Sequence, residues 1–172
     1  MTPIVLLEGL RAFIEGKTKD IILPVRPINL KTLPDEDAPN NEQVTERAPE
    51  LHLMRLPDKE AEIARIPYIV LQYLTGKDEH RPNADEDSLC NIRIIAATYS
   101  LNDSEGSLDV LNVLTRIRIN LLQAGEIGEQ FLLKKPLECM VYPDDTQPYF
   151  FGELMTVWEM PLIKREVNLF YG

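Results

Sequence analysis

The chain has 172 residues, 44% hydrophobic and 27% charged, a balance that suits one globular domain with a sizeable core. With 28 acidic against 18 basic residues the formal net charge is −10, which argues against sequence-specific nucleic-acid binding. It does not argue against an acidic channel wall along which DNA slides without sticking.

No apolar run approaches the ~20 residues that span a bilayer. The opening "MTPIVLLEGLRAFIEGK" lacks the basic start of a secretory signal, and Glu8 and Arg11 interrupt it. The chain is therefore expected inside the cell. Cys90 and Cys139, each in an apolar strand-like segment, are then expected as buried, reduced thiols.

The first predicted element is a helix. Thr2 suits a cap, Pro3 the first turn and Gly16 the stop, and Ile4, Leu7, Arg11 and Ile14 share one stripe beside Leu6, Leu10 and Phe13. "DIILPVRPINL" is β-like but broken by Pro24 and Pro27, which fits a short or edge strand. Residues 31–65 are rich in proline, asparagine and acid and read as a long loop, with a short strand possible at "LHLMRLP". A strand follows at "IPYIVLQYLTGKDEH", with Tyr68, Val70, Gln72 and Leu74 on one side and Ile69, Leu71 and Tyr73 on the other. The charged stretch at 76–87 reads as the turn to a second strand, "SLCNIRIIAATYS".

The strongest helix lies in "SLNDSEGSLDVLNVLTRIRINLLQAG", with Ser107 as cap and Gly125 as stop. Leu111, Leu114, Arg118 and Leu121 form one row and Val110, Leu114, Ile117 and Leu121 another, so burial around most of the circumference is expected. Arg116 and Arg118 are expected in ion pairs or snorkelling at the helix edge. Two strands close the chain, "FLLKKPLECMVYP" and the stretch from Tyr149 to Glu159, joined at "DDTQ". The expectation is an α+β domain covering 1–172, order α-β-β-β-α-β-β, with a mostly antiparallel (mixed) sheet of four to five strands and two helices. A tail at 164–172 follows.

Chemistry is sparse. Only His52 and His80 are available as bases, both in polar segments, and no G-x-S-x-G elbow precedes a helix. Metal-ligand spacings are missing, and the acidic triplets Asp35–Asp37 and Asp85–Asp87 read as solvated loop charge. No phosphate-cradling glycine motif follows a strand. The reading is non-enzymatic, with no catalytic residue, metal or cofactor.

What stands out is the closing strand. Phe150, Gly152, Leu154, Thr156, Trp158 and Met160 alternate with Tyr149, Phe151, Glu153, Met155, Val157 and Glu159, and both rows are mainly apolar. Both faces should then be covered, one by helix and the other either from within the chain or by a neighbouring subunit.

"DVLNVLTRIRINLL", then "KPLECMVYPDDTQPYFFGELMTVWEMP", resembles the tail terminator proteins of long-tailed bacteriophages, especially those of Gram-positive prophages. The matching positions are Asp109, Val110, Leu111, Asn112, Ile117 and Arg118, then Gln147, Pro148, Tyr149, Gly152, Glu153, Thr156, Trp158 and Pro161. "IPYIVLQYLTG" and "IRIIAATYS" are similar to that family's central hairpin. Ala97 stands where the family favours glycine, and Phe150 where a second proline is frequent. Residues 66–163 carry the likeness, and the loop at 31–65 adds nothing to it.

The resemblance implies a structural virion protein, assembled in the bacterial host cytoplasm, that forms a homohexameric ring. Such a ring caps the tail tube, stops its polymerisation and offers a head-joining surface. Its partners would be itself, the tail tube protein, and a sheath protein or a head-completion or connector protein, with genome DNA passing through the lumen and no membrane involved. The expected interface residues are Tyr149, Phe151, Glu153, Trp158, Leu169, Phe170 and Tyr171. Two other readings stand beside it: another head-tail joining protein (a stopper or head-completion protein), and a small ligand-binding module.

Overall fold

A computed structural model describes residues 2–25, 46–56, 66–79, 87–143 and 147–162. In chain order these form α1 (Pro3–Thr18), β1 (Leu23–Pro24), β2 (Glu46–Arg47), β3 (Glu50–Leu53), β4 (Tyr68–Glu79), β5 (Asp87–Tyr99), α2 (Asp103–Ala124), β6 (Glu126–Ile127), β7 (Phe131–Val141) and β8 (Tyr149–Glu159). One mixed sheet has the order β3-β4-β5-β8-β7-β6, and β1-β2 is a separate antiparallel pair. Only β3–β4 is parallel within the large sheet.

The α+β class and the mostly antiparallel sheet therefore hold, but the sheet has six strands and not four or five. The expected strand inside the loop is β3. The additional strands β2 and β6 are two residues long, too short to show a period of two. Residues 31–45 and 57–65 of the loop, 80–86 of the 76–87 connection and the tail at 164–172 lie outside the described residues.

Pro3 sits in the first turn of α1, where its missing N–H has no intrahelical partner to lose. The Thr2 side chain makes no cap hydrogen bond, and the helix runs past Gly16 to Thr18, whose hydroxyl donates to the Ile14 carbonyl at 2.9 Å. The buried stripe is Leu6, Leu7, Leu10 and Ile14, while Ile4 faces out. Contacts of α1 reach β3 and β4 near one sheet edge and β6 at the other, so the sheet curls around the helices.

β4 runs on through the charged residues, as expected of "IPYIVLQYLTGKDEH", so the turn does not start at Gly76. Gly76 to Glu79 continue β4, paired with Cys90 to Asp87, and Ser88 Oγ donates to Asp78 Oδ1 at 2.5 Å. Charged residues are tolerated there because most of these side chains lie in solvent while the backbone ladder continues. A register shift between Tyr73 and Thr75 leaves Leu74 as the extra residue and exposes it.

The cap of α2 is Asn102, not Ser107: its side chain accepts from the Ser104 amide at 3.1 Å. The helix ends as expected at Gly125, with φ 70°. Val110, Val113, Leu114, Ile117 and Leu121 are buried, but Leu108 (61%), Leu111 (44%) and Ile119 (44%) are exposed. So the helix is covered on one face only, because it lies as an outer layer on the sheet with nothing described beyond it. Arg116 meets Asp20 at 3.1 Å, the expected ion pair, and holds that carboxyl below its usual range.

Two glycines let α2 press onto β8. A Cβ on Gly152 would come within 2.8 Å of Val110 Cγ1, Leu114 Cδ1 and the Met140 carbonyl oxygen. A Cβ on Gly106 would meet the Phe150 ring at 2.1 Å. Below this contact Trp158 is fully buried at 0% exposure. Its indole N–H donates to Thr156 Oγ1 at 2.8 Å, and that hydroxyl donates to the Ile92 carbonyl at 2.8 Å, so neither polar group is stranded.

Trp158→Ala should lower unfolding stability by about 3–5 kcal/mol, the cost of emptying a large aromatic site. Gly152→Ala should cost about 1–3 kcal/mol, because helix and strand backbones must part to admit a methyl group. Urea titrations of both variants against the unsubstituted chain check these values; unchanged midpoints would show that α2 does not lie on β8 in this way.

Candidate interaction face

The rows of β8 divide between two environments. Gly152, Leu154, Thr156, Trp158 and Met160 are buried beneath the helices. Tyr149, Phe151, Glu153, Met155, Val157 and Glu159 point to the other face and are half-buried throughout. The register brings Tyr68 and Phe151 to opposite sides of Ala97, and Val70 and Glu153 to opposite sides of Ile95. A second apolar cluster results, distinct from the main core: Ile66, Tyr68, Val70, Ala97 and Tyr99, with Leu56, Ile95, Tyr149 and Phe151 against it. The Tyr99 and Tyr149 rings stand 6.0 Å apart at 49°. No described helix covers this face.

At its centre three strands are joined by polar side chains. Arg93 on β5 donates from Nε to Glu153 Oε2 on β8 at 2.5 Å and from Nη2 to Tyr142 Oη, just past β7, at 2.8 Å. Tyr142 in turn donates to the same Glu153 oxygen at 2.5 Å. Burial works against the Arg93 charge, yet the bonds to Tyr142 and Glu153 outweigh it and leave the guanidinium more basic than usual. Burial, and then the bond to Glu153, push the Tyr142 phenol above its ordinary range. The carboxylate is thus the common acceptor of the cluster. A second pair, Lys134 with Glu159, ties β7 to β8 further along.

Beside this cluster lies a shallow groove of about 370 Å³. Its floor is apolar, with Leu56, Tyr68, Val70, Ile95 and Phe151, and its rim is polar, with Arg55, Gln72, Arg93 and Tyr142. Such a surface suits an inserted side chain with an apolar body and a polar tip.

The expected interface residues separate accordingly. Tyr149 and Phe151 belong to the open face; Glu153 belongs to it as the clip that joins strands, only 15% exposed. Trp158 does not, since it is inside the subunit's own core. Leu169, Phe170 and Tyr171 lie outside the described residues. Sequence reading overlooked Arg93, Tyr142 and Arg55. Arg93 alone left a trace: in "NIRII" it is the charged residue in step with Ile95 on one strand face.

No family model matches the chain, and no curated protein matches it. Its chemistry must be judged from its own side chains. Among the described residues no group of three or more His, Cys, Asp or Glu is placed to hold a metal ion. His52 sits 3.4 Å from Glu50, and His80 and the triplet Asp35–Asp37 lie outside the described residues. Both cysteines are free, but only Cys90 is buried as expected, its thiol pushed up to about 11 by burial. Cys139 is exposed, because the outer strand β7 has its side chains largely in solvent. No described helix is long and apolar enough to cross a membrane.

Glu153→Ala removes the acceptor shared by Arg93 and Tyr142 and should destabilise the chain by about 1–3 kcal/mol. Urea denaturation of Glu153→Ala, of Arg93→Ala and of the double variant checks this. Strictly additive losses would mean that the clip contributes no coupling.

Proposed function

We propose that this chain caps the end of a bacteriophage tail tube, or of the tube of a phage tail-like particle, as a homomeric ring. In that role it stops tube polymerisation and offers the surface that joins the head or collar. The observation that carries the proposal is where the terminator-like phrase falls. Its "FGE" turns Phe151 to the open face, puts Gly152 beneath α2 and makes Glu153 the clip between three strands.

Phe151, Gly152 and Glu153 therefore each have a structural reason. The open face supplies the second support. The odd-numbered row of β8 is half-buried with no described helix over it, which fits a subunit whose neighbour completes that part of the face. The formal charge of −10 suits a lumen through which DNA passes without adhering. No cofactor or catalytic step enters the role.

A stopper or head-completion protein would share these features but bind the portal side. Capture experiments separate the two. Immobilised chain should retain tail tube protein and leave connector protein in solution. Light scattering should also show tube growth halting when the chain is added to polymerising tube protein. Retention of connector protein alone would assign the chain to the head side, and a chain that binds neither would contradict both readings.

A further inference from the structure

We propose that residues 163–172 of one copy dock in the groove on the open face of a neighbouring copy. The inference rests on the ring reading for the presence of that neighbour, and on the groove for the rest.

The segment reads "IKREVNLFYG": Lys164 and Arg165, then Leu169, Phe170 and Tyr171. The groove offers the complementary order. Leu56, Val70, Ile95 and Phe151 give an apolar floor for a leucine and an aromatic ring. Arg55 and Gln72 at the rim supply a guanidinium to lie over a ring and partners for a tyrosine hydroxyl. A volume of about 370 Å³ admits inserted side chains, not a helix.

Charge falls in step. Glu138, exposed on β7 and paired with Met155, stands on the same face as Phe151, four residues along β8 from it. Arg165 precedes Leu169 by the same four residues. An extended segment lying antiparallel to β8 would therefore set Arg165 near Glu138 as Leu169 reaches the groove, a span of about 13 Å.

The direction of β8 favours a neighbour as the donor. The groove is at the Phe151 end, and the chain leaves the sheet past Glu159, about 26 Å away at ~3.3 Å per residue. From Leu162 to Leu169 a chain spans at most about 23 Å, less than the distance back along β8 to the groove.

The test uses a fluorescent synthetic peptide of residues 163–172 and the full chain, diluted until scattering shows single copies. Fluorescence anisotropy should show saturable binding. Phe170→Asp with Tyr171→Asp in the peptide should abolish it, and Arg55→Glu or Glu138→Lys in the chain should weaken it about tenfold or more. Melting curves of both chain variants, substituted at exposed positions, verify that they remain folded. No binding, or binding indifferent to the groove substitutions, overturns the proposal. So does a peptide that binds only when the chain's own Phe170 and Tyr171 are replaced, since the groove would then be filled from within. A chain that binds the peptide through the groove yet never forms rings would contradict the ring reading and leave the docking site standing.

Discussion

The contact of α2 with β8 at Gly152 is the constraint on which the rest of the structure depends. Val110, Leu114 and the Met140 carbonyl oxygen crowd the space a side chain would need, so helix and strand can meet only where the Cβ is missing. That approach closes the core over Trp158 and commits the even-numbered row of β8 to the interior. Because side chains alternate along a strand, it also commits Phe151 and Glu153 to the opposite face. A single small residue therefore decides which surface the subunit keeps and which it presents.

The presented face is held in shape by polar bonds. Arg93, Tyr142 and Glu153 come from three separate parts of the chain, and their hydrogen bonds pin β5, the end of β7 and β8 together beneath the groove. The outer ridge of α2, with Leu108, Leu111 and Ile119, adds an apolar strip on the opposite side of the subunit. A head-to-tail contact uses two different surfaces, which is what the proposed ring would ask of these two sides.

Much of the fold was legible because long elements show their period. The two rows of β8, the even split of β4 up to Tyr73, the Gly125 stop and the buried row of α2 all follow from alternation or helical spacing. What was not legible depended on partners distant in sequence. Asn102 and Ser107 are both good caps, and only the path of the chain after β5 selects Asn102. Leu111 and Leu114 look alike in sequence, but the helix lies on one sheet face, so one is exposed and the other buried. The site was half visible. Tyr149, Phe151 and Glu153 follow from strand alternation, whereas Arg93 and Tyr142 lie 60 and 11 residues from Glu153 in sequence and meet it only through strand order. Trp158 was ambiguous between core and interface because alternation defines a face without saying what covers it.

The ring reading joins these observations to a task that needs shape, charge and an incomplete surface, and no reactive group. Negative-stain imaging of tail tubes assembled with and without the chain tests it most directly. The account predicts tubes of limited length, each carrying one closed ring of copies at one end only, and lost when the open face is altered by Phe151→Lys in a chain that still folds. Tubes of unchanged length with bare ends, in the presence of folded chain, would contradict it.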